Sequence, residues 1–152
     1  MVKTNYKEVQ YHKSIIVIFM SLLILTALLF ILKMGSPGKL LTLNSFLFFQ
    51  FICIMILGLF YKMEIKIIDN ILSISFGIGL IQKKINLFNI KEDSIKIKNI
   101  PFYYGTGIRF TKHGTLYNTS SGKAVSFTLK ENKRFLIGSN NTSELINKLR
   151  DF

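Results

Sequence analysis

The chain has 152 residues, 49% of them hydrophobic, with 14 Phe, a mean hydropathy of +0.37 and a net charge of +12, a balance out of place in a wholly soluble protein. A single cysteine excludes an intrachain disulfide and a multi-cysteine metal site. The only two histidines, His12 and His113, are far apart and offer no His/Cys cluster for a metal.

Residues 1–13 are polar and mixed in sign, and no independent fold is expected of this tail; Tyr6, Tyr11 and His12 suit a position at headgroup level. Two uncharged apolar runs follow, 14–32 and 40–61, each of the length a helix needs to cross hydrocarbon. The first is too long for the apolar core of a secretory signal and has no small-x-small cleavage site after it, so it reads as an uncleaved span. Gly35, Pro37 and Gly38 break helical continuity between the runs, and the segment 14–61 is therefore expected to be a transmembrane hairpin. Asn44, Ser45 and Gln50 are costly in lipid without partners. Counting back equally from the turn sets Ser21 level with Gln50 and Thr26 level with Ser45, so these four are the candidate interhelical contacts. Cys53, inside the second run, reads as a packing residue.

Two spans leave both flanks on one side. The lysines Lys3, Lys7, Lys13, Lys62 and Lys66 against Lys33 and Lys39 assign that side to the cytoplasm of a plasma or inner membrane.

After Tyr61 the hydrophobic period changes to two. Met63, Ile65 and Ile67 alternate with Glu64 and Lys66, Asp69-Asn70 makes a tight reversal, and Leu72 to Phe76 alternates again. Gly77-Ile-Gly79 is a bend before a third stretch ending at Leu87, and 95–98 supplies a fourth. Further strands are expected at 108–111, 115–118, 124–129 (with Val125, Phe127 and Leu129 inward) and 134–137. Asn141-Thr-Ser-Glu144 then opens a helix whose Leu145, Ile146, Leu149 and Phe152 share one face. Residues 62–152 thus predict a mainly-β domain of about seven antiparallel strands in a partly open barrel, closed by a C-terminal helix.

Gly105-Thr-Gly-Ile-Arg109, Gly122-Lys-Ala-Val125, Phe135-Leu-Ile-Gly138 and Ser143-Glu-Leu145 resemble the bacterial membrane proteins that carry a PH-like (pleckstrin-homology-like) domain. The resemblance covers Met63 to Phe152 together with the hairpin arrangement. It implies a PH-like domain set beside one or more membrane spans, in a family most of whose members have no assigned activity.

The catalytic motifs sought are not met. Gly77-Ile-Gly79 lacks the third glycine and the helix of a dinucleotide fingerprint. Ser121-Gly122-Lys123 lacks the first glycine and the magnesium-binding hydroxyl of a P-loop, and Glu92-Asp93 reads as a solvated turn. No enzyme and no cofactor are expected. From Lys62 onward there are 15 Lys and Arg against seven Asp and Glu, a net of +8, but no nucleic-acid-binding signature accompanies it and no nucleic-acid partner is expected. Lys62, Lys66, Lys83 and Lys84 are the candidate contacts to anionic lipid. The sequence therefore reads as a membrane-anchored interaction or scaffold module whose partners are the bilayer and a membrane or cytoplasmic protein, with homo-oligomers left open. The alternatives are a peripheral anionic-lipid sensor and an accessory subunit of a transporter or signalling complex.

Overall fold

The computed structural model describes residues 4–33 and 42–151. The expected reversal at Gly35 to Gly38, the lysine at 39 and the terminal Phe152 lie outside the described residues.

A strand precedes the helices. The segment expected to be an unstructured tail forms β1 (Thr4–Tyr11), paired antiparallel with β2 (Lys62–Ile68) in a register that sets Tyr11 against Lys62 and Glu8 against Ile65. Helices α1 (Lys13–Lys33) and α2 (Leu43–Phe60) are thus inserted between two neighbouring strands of one sheet. Both are long and apolar enough to cross a membrane, and they leave most of their apolar side chains exposed, as helices solvated by lipid do. Residue Thr42 caps α2 by accepting the Ser45 amide at 3.3 Å, so the helix begins at Leu43 rather than at Leu40.

β3 (Ile71–Phe76) and β4 (Ile81–Asn86) complete the first sheet, order β1-β2-β3-β4. The β2–β3 reversal falls on Asp69 and Asn70, both with left-handed backbone (φ 45° and 64°), the conformation a two-residue hairpin of the right twist requires. The second sheet contains β5 (Lys96–Ile100), β6 (Gly107–Thr111), β7 (Gly114–Asn118), β8 (Gly122–Thr128) and β9 (Arg134–Gly138), in the order β5-β8-β9-β7-β6. Its β7 and β9 run parallel, a correction to the all-antiparallel expectation. The parallel pair arises because β8 and β9 form a hairpin that returns to lie beside β7, a non-local pairing invisible to local alternation.

The two sheets enclose one main core. Met63, Ile65, Ile67, Leu72, Ile74 and Phe76 from the first sheet meet Tyr117, Val125, Phe127, Phe135 and Ile137 from the second. Amphipathic α3 (Thr142–Arg150) adds Leu145 and Leu149, both buried, and packs against β8 and β1. A smaller cluster of Ile100, Leu116, Ala124 and Leu136 lies on the other face of the second sheet, with Tyr104 packed over it.

Candidate functional site

Helix termini leave backbone groups that need partners, and the junction between stem and domain supplies them. At the end of α2, the Tyr61 amide donates to Leu57 O at 2.9 Å and the Ile78 amide, from the β3–β4 turn, donates to Gly58 O at 3.2 Å. His12 Nδ1 donates to Phe60 O at 3.0 Å, and the His12 amide donates to Tyr61 O at 2.9 Å. Each of these four terminal carbonyls is occupied, two of them by a residue from the far side of the stem. Phe60 continues the contact into the sandwich, its ring 6.3 Å from that of Phe76, which in turn lies 6.3 Å from Tyr117. The stem is therefore built into the domain rather than joined to it by a linker.

The fit is close. A Cβ on Gly77, whose φ of +55° already favours glycine, would stand 2.1 Å from Gly58 O and 2.4 Å from Leu59 O. Only a residue without a side chain lets the turn approach the helix end this closely.

His12 is fully buried, and with Nδ1 donating, its Nε2 carries a lone pair that meets no donor. Burial pushes the imidazole below its ordinary value, the hydrogen bond to the Phe60 carbonyl acting the other way. The neutral ring is the form this junction holds.

A second polar assembly ties β1 to the far sheet, and no local pattern in the chain signals it. Glu8 Oε2 accepts from Tyr6 OH at 2.6 Å and from Ser139 Oγ at 2.7 Å, while Oε1 accepts from Gln10 Nε2 at 2.9 Å and from the Asn140 amide at 2.7 Å. Gln10 also donates to Gly138 O at 2.9 Å and accepts from Thr119 Oγ1 at 2.7 Å. Burial, then the hydrogen bond to Glu8, pushes the Tyr6 phenol well above its ordinary value.

The four lysines expected to meet anionic lipid do not form one patch. Register sets Lys66 opposite Ser73 and Ser73 opposite Lys84, and on the other side Lys66 opposite Lys7, so a row Lys7-Lys66-Ser73-Lys84 crosses the first sheet. Lys7 belongs to that row although sequence reasoning did not select it, because its strand was not foreseen. Glu64 bridges Lys7 at 3.4 Å and Lys66 at 3.0 Å; burial alone would raise its carboxyl, but the two ammonium groups hold it below the ordinary range. Lys83 falls on the opposite face, its Nζ 6.0 Å from the centroid of the Phe135 ring, an inward-pointing charge at the edge strand β4. Lys62 stands at the helix end, 5.4 Å over the Tyr61 ring.

No protein-family model, curated protein or solved structure matches the chain.

In the stem, Gln50 Nε2 donates to Thr26 Oγ1 at 3.0 Å and to Leu23 O at 3.3 Å, so Gln50 meets Thr26 and not Ser21. Ser45 stays at its own helix start, 2.9 Å from the Thr42 hydroxyl. The start of α2 at Leu43 rather than at residue 40 shifts the pairing of the two helices. The stacked rings of Phe30 and Phe46, 4.3 Å apart and 9° from coplanar, fit this same shifted register.

Among the described residues no three His, Cys, Asp or Glu side chains gather as a metal site. A cavity of about 630 Å³ lies at the far end of the sandwich and mixes Leu87, Phe88 and Leu149 with Lys91, Glu92 and Lys130. Another of about 330 Å³, on the outer face of the second sheet, is lined by Lys98, Tyr103, Tyr104, Lys112 and His113. Beside it, Phe102 and Tyr103 of the 3-10 turn Phe102–Tyr104 are 88% and 81% exposed. Phe110, 89% exposed, shares the face of β6 with Ile108, which packs on the main core.

Proposed function

We propose that the chain is a noncatalytic, membrane-anchored interaction module: a two-helix transmembrane stem carrying a PH-like domain on the cytoplasmic side, which presents the free edge of β6 to a protein partner. Exposed Phe110 on β6, with exposed Phe102 and Tyr103 on the turn that precedes the strand, carries this reading. Large aromatic side chains supply much of the energy of protein interfaces, and β6 ends its sheet, with one side of its backbone unpaired by another strand. The PH-like assignment is supported by two packed sheets of short strands closed by a C-terminal amphipathic helix, alongside the motif resemblance. The cytoplasmic orientation is supported by the excess of lysines flanking the two helices on the domain side.

A photo-reactive amino acid installed in place of Phe110 or Phe102 in native membranes tests the reading. It should give one reproducible crosslinked species that is missing when the same group replaces Lys148 on α3. Equal, diffuse crosslinking at all three positions would remove the case for a partner at this edge. Peripheral sensing of anionic lipid is the second reading, favoured by the basic row Lys7-Lys66-Ser73-Lys84. Under that reading, charge reversal at Lys84 would weaken salt-sensitive association with anionic vesicles, whereas reversal at Lys83, on the other face, would do less.

A further inference from the structure

The β3–β4 turn, Gly77 to Leu80, joins two neighbouring strands, yet it holds two apolar side chains out from the core: Ile78 is 68% exposed and Leu80 is 73% exposed. Held in water, both forfeit the free energy that burial would give them. The level at which they stand is fixed by the helix. In an unbroken helix Gly58 O would accept the amide four residues on, that of Lys62; here it accepts the amide of Ile78 instead. The Gly77 amide donates to Lys62 O at 2.8 Å, holding the turn from its other side. The turn is therefore level with Tyr61 and Lys62. That level also carries Tyr11 and Lys13, since the His12 amide reaches Tyr61 O. Tyrosine and lysine flanking the apolar helices mark the band where hydrocarbon gives way to headgroups.

We infer that the β3–β4 turn is a second, non-spanning membrane contact, in which Ile78 and Leu80 enter the boundary between headgroups and acyl chains beside α2 and fix the domain's orientation on the bilayer. The occupant is lipid. The argument rests on the transmembrane reading of α1 and α2, and on the hydrogen-bonded continuity between the turn and the end of α2. Lys62 beside the turn adds attraction to anionic headgroups at the same level.

The test uses the full chain in a Cys53→Ala background, reconstituted into vesicles of phosphatidylcholine and phosphatidylglycerol. An environment-sensitive fluorophore is placed on Ile78→Cys, Leu80→Cys, Met55→Cys or Phe88→Cys. Met55 is an exposed residue inside α2 and reports on the span itself. Phe88 is an equally apolar, exposed control at the far end of the first sheet, where the Leu87 amide reaches Asn70 O. The expected result is blue-shifted emission at 78 and 80, quenching by a spin label carried shallowly in the acyl chain, and iodide quenching reduced severalfold relative to 88. If 55 is quenched by a deep lipid spin label while 78 and 80 behave like 88, the inference is overturned and the spanning reading stands. Protection from iodide at 78 and 80 without lipid quenching would assign the turn to a protein contact and also overturn it. Absence of lipid quenching at 55 would overturn the spanning reading and this inference with it. All four positions are exposed, so the substitutions leave the core untouched.

Discussion

Replacing Gly77 by Ala should unfasten the domain from its stem. A left-handed backbone costs a non-glycine residue about 1–2 kcal/mol. The new Cβ would also stand 2.1 Å from Gly58 O and 2.4 Å from Leu59 O, both backbone atoms of a helix end that cannot rotate aside. The turn must retreat, and the Ile78 to Gly58 hydrogen bond goes with it, a further loss of about 0.5–1.5 kcal/mol. The expected total is about 1.5–3.5 kcal/mol, and at roughly 4–8 °C per kcal/mol for a domain of this size the midpoint should fall by about 6 °C or more. Gly79→Ala is the matched control: its φ of +92° carries a backbone cost too, but nothing lies within 4 Å of the added Cβ. Gly58→Ala is also open and removes a glycine from a helix interior, so it should be neutral or stabilising by about 0.5–1 kcal/mol. Thermal unfolding of the full chain in detergent micelles, followed by near-UV circular dichroism of its tyrosines, ranks the three. Equal shifts for Gly77→Ala and Gly79→Ala would refute the close approach of turn and helix.

Thr26→Val and Gln50→Leu, singly and together, should give a coupling energy of about 0.6–1.7 kcal/mol in a double-mutant cycle on thermal stability, because they share one hydrogen bond; strict additivity would separate the two side chains. Leu149→Ala should cost about 2–5 kcal/mol, since that side chain is buried in the core, whereas Lys148→Ala, which loses only an exposed 3.4 Å pair with Asp151, should cost less than about 0.5 kcal/mol. Similar melting temperatures for the two would mean that α3 does not close the sandwich. The imidazole of His12 has a folded pKa below its unfolded value of 6.5, so the unfolded chain takes up the proton first. Its contribution is constant above that value and declines as pH falls below it, levelling only beneath the folded pKa. Denaturant titrations from pH 8 to 5 should therefore show a loss of stability that His12→Asn flattens, and superimposable profiles would exclude His12 as the source.

Local pattern carried the helices, the β2–β3 hairpin and α3, because each is specified by neighbours in sequence: uninterrupted apolar runs, the Asp69-Asn70 turn, and Asn141 capping Glu144. β1 escaped because its inward residues Tyr6, Glu8 and Gln10 include two polar ones, whose partners Ser139, Asn140 and Thr119 lie more than 100 residues away. With β1 unseen, Lys7 could not be placed beside Lys66, and the candidate lipid contacts Lys62, Lys66, Lys83 and Lys84 include two that lie outside the row. The stem register failed for a different reason, the exact start of α2, which depends on the Thr42 cap and not on hydropathy. Alternation does set Lys83 and Lys84 on opposite faces, but it does not say which face meets a membrane.

The position of α1 and α2 between β1 and β2 also bears on how the protein is made. With α1 and α2 spanning the membrane as proposed, the ladder that sets Tyr11 against Lys62 cannot form until the chain has gone out through one helix and come back through the other, so insertion would precede completion of the first sheet. A molecule whose first segment is retained on the wrong side keeps β2 as a raw edge, leaves Glu8 without Ser139 and Asn140, and strands His12 away from the end of α2. Misinserted chains would then carry an unpaired strand and an open core, features that quality-control proteases and chaperones engage. Under that proposal the fold would make correct topology a condition of stability, with β1 as the late-pairing strand that reports it.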